Sequence, residues 1–327
     1  MKALVIGASG HIGNAIVRAL LNRKYKVTAC GRRRKPPANL IGLPVRYAPG
    51  DADSADQFEK WIDGHNLVID AAAPYPLDIF SVAGDAEIDP IAGAERRTRH
   101  LLDAVSRHDA QLAYISSFVT LVRPQTKAQH FQSEMIRLAH PYFTVKQLIE
   151  AQILEAAREG LRTVIVNPTY CLGPWDIRNR RICTIPLLLS DEIPASISQA
   201  LNVIDVRDVA GALLAALDAK RYGAPILLSG HNVSTHELYS AICRIGGVPP
   251  PRFSASSSLT LMSAFWIEMM FTAIGRRTPL PSGGMMMATE FDYLVPGKEL
   301  IELGINLRPL ADTLSDAIRW YREIGYC

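Results

Sequence analysis

Cysteine is scarce in this chain of 327 residues, and what there is does not pair. Cys30, Cys171, Cys183, Cys243 and Cys327 are odd in number and contain no Cys-x-x-Cys spacing. That argues against a disulfide framework or a zinc site and fits a reducing compartment, so a cytoplasmic location is expected. An excess of one charge sign is also missing. The formal net charge of +3 is too small a bias to draw nucleic acid or an anionic membrane. Histidines such as His100, His108, His130, His140, His231 and His236 are scattered without ligand spacing, so no metal is expected. No apolar run is long enough to span a bilayer. The most membrane-like stretch, Leu259 to Ile274, contains Glu268 and reads as an amphipathic helix over a pocket or at a subunit surface. A strand-like pattern begins at Lys2, leaving no expected room for a secretion leader. What is present, 48% apolar and 20% charged residues, suits a globular protein with a full core.

The N-terminal run Lys2-Ala3-Leu4-Val5-Ile6 ends in Gly7-Ala8-Ser9-Gly10-His11-Ile12-Gly13. An apolar strand entering three spaced glycines, with a helical pattern behind them, reads as the first turn of a dinucleotide-binding fold. Gly7 permits the tight turn, Gly10 lets backbone N–H groups approach a diphosphate, and Gly13 allows helix and strand to pack closely. The helix expected from Asn14 to Arg23 aims its positive end at that anion. His11 reads as a backbone spacer beside the phosphates, and Ser9 and Ile12 share the same cradle.

Short apolar strands then alternate with helical patterns, which argues for a parallel sheet joined by crossover helices. Strands are expected near Lys2–Ile6, Lys26–Cys30, Val45–Ala48, Leu67–Asp70, Leu112–Ser116, Thr163–Val166 and Ile226–Leu228. Helices fall near Asn14–Arg23, Ser54–Ile62, Gly93–Arg107, Pro141–Glu159, Arg207–Ala219, Thr235–Gly246 and Leu310–Glu323. The fold class is α/β: a doubly wound Rossmann sheet with a smaller, irregular C-terminal substrate-binding lobe. Residues 1–170 form the dinucleotide-binding domain, to which roughly 203–230 return, and residues 171–327 supply mainly the lobe.

The second strand is followed at once by Gly31-Arg32-Arg33-Arg34-Lys35, with no acidic residue. The end of that strand meets the adenosine ribose, where a carboxylate would serve a free 2′-hydroxyl and arginine serves a 2′-phosphate. Position therefore favours NADP(H) over NAD(H), with Arg32 and Arg33 as the candidates. Asp51 and Ala52, after the third strand, stand where a carboxylate can accept from the adenine amino group. Helix capping is the alternative use of Asp51.

Tyr142 and Lys146 lie four residues apart in Pro141-Tyr142-Phe143-Thr144-Val145-Lys146, on one face of a helix that proline can start. Carbonyl reduction needs a proton donor, and a phenol of ordinary pKa near ~10 is a poor one until a neighbouring ammonium favours its phenolate. Ser117 ends a predicted strand, placing a hydroxyl at the crevice where open α/β sheets bind ligands.

These features together resemble an extended short-chain dehydrogenase/reductase of the epimerase/dehydratase superfamily over essentially the whole chain. The likeness is greatest to the dihydroflavonol-4-reductase-like and 3β-hydroxysteroid-dehydrogenase-like branch. It rests on the glycine motif, Gly50-Asp51, Ala71-Ala72, Ser117, Tyr142-x-x-x-Lys146, Glu150, the run from Asn167 to Asp176, and the run from Val203 to Ala210. The resemblance implies Tyr142 as general acid/base, Lys146 as ribose anchor and pKa modulator, and Ser117 as donor to the carbonyl. It implies that Ala71 and Ala72 flank the cofactor and that Pro168 and Cys171 line the nicotinamide carboxamide. Two departures stand out. Ala94 replaces an asparagine of the central helix, and Asp70-Ala71-Ala72-Ala73 replaces His-x-Ala-Ala.

Substrate-facing segments are expected at Pro74–Phe80, Phe118–Val122, Phe131–Met135, Tyr170–Trp175, Trp266–Phe271 and Met285–Met287, with Tyr75, Phe118, Thr120, Tyr170 and Trp175 as the individual candidates. Their aromatic and methionine content suits a cyclic or aromatic carbonyl compound. A homodimer is expected through the helices carrying Leu101, Leu102, Val105, Leu148, Ile149, Ile153 and Leu154. The reading is an NAD(P)H-dependent ketoreductase acting on a hydrophobic small molecule, and secondary metabolism is the expected setting. The alternatives are a nucleotide-sugar epimerase/dehydratase holding NAD tightly, and a non-catalytic cofactor sensor of the same fold.

Overall fold

The computed structural model describes residues 1–72, 89–121, 141–177, 183–190, 195–198, 200–251, 253–256, 266, 269–270 and 297–327. Its strands are β1 (Lys2–Ile6), β2 (Lys26–Gly31), β3 (Arg46–Pro49), β4 (Leu67–Asp70), β5 (Gln111–Ile115), β6 (Thr163–Pro168), β7 (Tyr170–Leu172), β8 (Ala195–Ser198), β9 (Ala200–Asp205), β10 (Pro225–Leu228), β11 (His231–Ser234) and β12 (Phe253–Ser256). Its helices are α1 (His11–Asn22), α2 (Ala55–Ile62), α3 (Pro90–Arg107), α4 (Pro141–Arg158), α5 (Thr184–Leu189), α6 (Val206–Asp218), α7 (Thr235–Gly246), α8 (Lys298–Glu302) and α9 (Leu310–Glu323).

Seven strands form one sheet in the order β10-β6-β5-β4-β1-β2-β3, every pair parallel. Parallel strands covered on both faces carry nearly continuous apolar runs, and Leu4, Val5, Val68, Ile69, Ala113 and Ile165 are all 0% exposed. One face packs on α1 and α6 through Ile16, Val17, Leu20, Val209 and Leu213. The other packs on α2, α3 and α4 through Phe58, Leu101, Val105, Ile149 and Ile153. Chain order reverses between β1 and β4, which makes the carboxyl ends of those strands the ligand crevice.

From the stretch 203–230, β10 and α6 return to this sheet, whereas β9 pairs with β7 and β11 in a separate three-stranded sheet. A third apolar cluster, around Leu172, Leu188, Leu238, Ile242, Leu314 and Tyr321, lies among α5, α7 and α9. Local chemistry places these helices. A reciprocal Ser234–Glu237 capping box starts α7, and Gly247 at φ 72 closes it with a left-handed residue. Asp89 caps α3 by accepting from the Ile91 N–H, just ahead of Pro90 in the first turn.

Helix α1 starts at His11, three residues before the expected Asn14. The Gly10 N–H donates to the Gly7 carbonyl at 2.9 Å and the Asn14 N–H donates to Gly10 at 2.8 Å, so the turn passes into the helix without a break. The residues expected at a dimer surface also need correction. Leu101, Val105, Ile149 and Ile153 are 0% exposed within a single chain, because α3 and α4 spend those faces on the sheet. Only Leu102, Leu148 and Leu154 remain half-buried.

Candidate active site

The glycine elbow is built by close approach. Gly7 sits at φ +78, and a Cβ there would lie 2.8 Å from Ala71 backbone atoms and from the Ala72 Cβ. A Cβ on Gly13 would lie 2.2 Å from the Gly7 carbonyl oxygen, and one on Gly10 would lie 3.2 Å from it. The elbow thus fits a dinucleotide diphosphate: bare backbone opens on the first turn of α1, whose N–H groups have no intrahelical acceptor. Ser9, Ile12, Ala71 and Ala72 are half-buried around it.

Residues that the sequence reading missed hold this elbow from behind. Asn39 donates from Nδ2 to the carbonyls of Ser9 at 3.0 Å and Trp175 at 3.1 Å. Its own carbonyl accepts from Asn14 Nδ2 at 3.0 Å. Arg18 donates to Asn14 Oδ1 at 2.9 Å, and its guanidinium covers the Trp175 ring at 4.5 Å. Trp175, expected to face substrate, is therefore tied to α1. His11 is buried, with Nδ1 3.9 Å from Asp176 Oδ2, and Asp176 also accepts from the Cys183 thiol at 3.4 Å.

Beyond the end of β2, Arg32, Arg33, Arg34 and Lys35 are all exposed, and the Tyr47 hydroxyl donates to the Arg33 carbonyl at 2.7 Å. Asp51 is exposed, and its Oδ1 accepts the Asp53 N–H at 3.2 Å. Ser54 takes the cap position of α2 without a side-chain hydrogen bond. Ala52 is half-buried beside them.

Asp70, at the end of β4, is 0% exposed and is gripped by Arg97 of α3, whose two terminal nitrogens each donate at 2.8 Å. Asp70 Oδ1 also accepts the Ala72 N–H at 3.1 Å. Burial alone would raise the Asp70 carboxyl, but the Arg97 charge and hydrogen bonds outweigh it and hold the group ionised, below the usual carboxylate range. Burial likewise opposes the Arg97 charge, and Asp70 outweighs it.

Lys146 lies one turn after Tyr142 on α4, and the two are 2% and 9% exposed. Nζ donates to the Ile115 carbonyl at 2.9 Å and stands 3.5 Å from the Tyr114 hydroxyl. Burial pushes this amine from 10.5 down to about 7, against the pull of Asp70 and Glu150 and with the repulsion of Arg97. The Tyr142 ring meets Phe143 edge-on at 5.6 Å between centroids.

Three hydroxyls follow β5, and one carboxylate sorts them. Glu150 Oε2 accepts from Ser116 Oγ, from Thr120 Oγ1 at 2.8 Å and from Asn167 Nδ2 at 2.7 Å. Asn167 Nδ2 also lies 3.1 Å from the Ser117 carbonyl. Ser117, 7% exposed, starts a short 3-10 turn without a side-chain cap, and its hydroxyl has no partner among the described residues. Thr120, expected at the substrate, is thus engaged internally, while Phe118 next to it is half-buried.

Pro168 is buried at the end of β6, and the half-buried Cys171 donates its thiol to the Thr169 carbonyl at 3.4 Å. Tyr170 is 38% exposed, and its hydroxyl bonds Thr184 of α5 at 2.6 Å. Tyr75 and the segments around Phe131–Met135 and Met285–Met287 lie outside the described residues. Among the described residues, no helix is long and apolar enough to cross a membrane.

Residues 3–227 match the model of the NAD dependent epimerase/dehydratase family. A putative dihydroflavonol 4-reductase of Synechocystis sp. is 30% identical over 334 residues, covering 98% of this chain and 95% of its own. Sterol demethylase protein B of Methylococcus capsulatus is 28% identical over 99% of both chains. Among solved structures, gox2253 superposes with a TM-score of 0.79 at 25% identity, over 99% of this chain and 98% of that one. The UDP-glucuronic acid 4-epimerase of Bacillus cereus, solved with UDP-glucuronic acid and NAD, shares the fold with a TM-score of 0.73 at 18% identity, over 99% of this chain and 100% of that one.

Proposed function

The chain belongs to the NAD dependent epimerase/dehydratase family, and from that premise we propose that it is an NADPH-dependent ketoreductase acting on a hydrophobic, cyclic or aromatic carbonyl compound. It is an enzyme of the NAD(P)-dependent oxidoreductase type. The observation that carries the finer reading is the sorting of hydroxyls by Glu150. Ser116 and Thr120 are bound to it, and Ser117 alone of the three keeps its hydroxyl for a ligand at the end of β5.

The bare backbone of Gly7, Gly10 and Gly13 holds the diphosphate, with Ser9, His11 and Ile12 completing the elbow and Ala71 and Ala72 as its floor. Asp51 and Ala52 take the adenine end, Arg32 and Arg33 the 2′-phosphate, and Pro168 and Cys171 the nicotinamide end. When bound, NADPH supplies the hydride. Ser117 orients the carbonyl by donating to its oxygen. Tyr142 then gives its phenolic proton to that oxygen as negative charge develops there, and Lys146 steadies the phenolate left behind. Relatives named as dihydroflavonol 4-reductases support a reductase and a substrate of this class. Residues 1–170 form the cofactor domain, to which roughly 203–230 return, and residues 171–327 form mainly the substrate lobe. A homodimer would use the outer faces of α3 and α4, where Leu102, Leu148 and Leu154 are half-buried.

The deciding experiment compares the wild type with Tyr142→Phe on a panel of aromatic and alicyclic ketones, following NADPH absorbance. The variant should bind NADPH normally by fluorescence titration and lose roughly 100- to 10,000-fold in kcat. Undiminished turnover removes the tyrosine from the mechanism. If purified protein carries spectroscopically visible NAD and reduces no ketone, the epimerase reading takes its place.

A further inference from the structure

The floor of the cofactor crevice and the amine on α4 share a neighbour that the proposed reaction does not use. Asp70 is aligned with Ile6, the last residue of β1 before the glycine elbow, and its Oδ1 takes the Ala72 N–H. Arg97 reaches it from α3 and occupies both oxygens, at 0% and 1% exposure for the two side chains. A fully buried ion pair is a costly device where packed apolar side chains would fill the same volume.

The groups facing Lys146 among the described residues come from four elements. They are Tyr114 and the Ile115 carbonyl on β5, Glu150 on α4, Asp70 on β4 and Arg97 on α3. Asp70 and Arg97 act on the amine with opposite signs. Asp70's pull is the larger of the two, and Arg97 offsets part of it. Either one alone presents Lys146 with a full charge in a medium of low dielectric constant.

We propose that Arg97 is a positioning residue acting through Asp70: by holding both carboxylate oxygens it keeps Asp70 from capturing Lys146, leaving the amine to Tyr142 and the cofactor ribose. The inference rests on the reading of Lys146 as part of the reductase site. With burial holding the amine at about 7, one uncompensated charge nearby suffices to change its protonation across the working range.

The test uses the full chain as wild type, Arg97→Met, Asp70→Asn, the double variant and Lys146→Met. NADPH affinity, by nicotinamide fluorescence, and kcat are both followed from about pH 5.5 to about pH 9.5. Arg97→Met should move the apparent pKa to alkaline pH by about one unit, tenfold in proton affinity. Asp70→Asn should move it to acid pH, and the double variant should fall between the two single variants. The titration should vanish in Lys146→Met.

Singles that shift in the same direction, singles that titrate as wild type, or a double displaced beyond either single would each overturn the proposal. So would a titration that survives Lys146→Met. A purely structural pair would lower Tm in the Arg97 and Asp70 single variants and leave the pKa in place. Should Arg97→Met fail to fold, Asp70→Asn and the double variant decide. If no ketone is reduced, the reductase reading falls, while the pH dependence of NADPH binding still reports on Arg97.

Discussion

Ser116 donates its hydroxyl hydrogen bond to Glu150, and that bond separates two adjacent serines that look alike in sequence. Ser117→Ala should lower kcat by roughly 100- to 1,000-fold, the usual loss for one donor to a developing oxyanion, with little change in Tm. Ser116→Ala should leave most of the turnover but cost about 1–3 kcal/mol of stability, because it strips a donor from a buried carboxylate. Kinetics and thermal melts of the two variants decide. The opposite pattern would transfer the carbonyl role to Ser116.

Lys146 sets function against stability. Its pKa falls from 10.5 to about 7 on folding, so the unfolded chain binds more protons between those values. The cost of burying the ammonium is fully present below pH 7 and lifts as pH rises toward the unfolded value. Lys146→Met should therefore raise the Tm of the cofactor-free protein at neutral pH, gain less near pH ~10 and abolish turnover. An advantage that does not change with pH would contradict the depressed pKa.

Arg32 and Arg33 are exposed beside the end of β2. Arg32→Asp should weaken NADPH binding about tenfold or more and spare NADH, since it replaces a charge-assisted phosphate contact by repulsion. Fluorescence titration with both nucleotides measures this. Unchanged NADPH affinity would mean that the arginine points away from the phosphate.

The glycines should fail in different ways. Gly13→Ala drives a methyl to 2.2 Å from the Gly7 carbonyl, so it should cost about 1–3 kcal/mol or more and lower Tm. Gly10→Ala, at 3.2 Å from the same atom, should fold with a near-native Tm and lose NADPH affinity. Equal Tm losses in the two variants would argue against this division of labour.

The sheet was readable because strands buried on both faces carry nearly continuous apolar runs, as in Leu67–Ile69 and Val164–Val166. The glycine elbow and the Tyr142–Lys146 spacing were readable because each is local. What escaped was non-local. Asp70 appeared only as a departure from a family pattern, and Arg97 was not singled out at all. Their pairing depends on β4 and α3 packing together, which no short window of sequence reveals. Glu150 was noted, but its partners come from two separate stretches, Ser116 and Thr120 after β5 and Asn167 on β6. Trp175 looked like a substrate aromatic, and only the fold brings Arg18 across its ring. The start of α1 was missed because the glycine turn itself, rather than helix propensity, nucleates the helix at His11.

The Asp70–Arg97 contact also restricts how this scaffold can be recombined. Two segments far apart in the chain, one ending β4 and one midway along α3, contribute opposite charges to a space that water does not enter. A chimera that takes either segment from a donor without the complementary charge would strand an ion in the interior, at about 3–5 kcal/mol. Swaps across this crevice therefore succeed as matched sets, and crossover points between residues 70 and 97 are the ones to avoid.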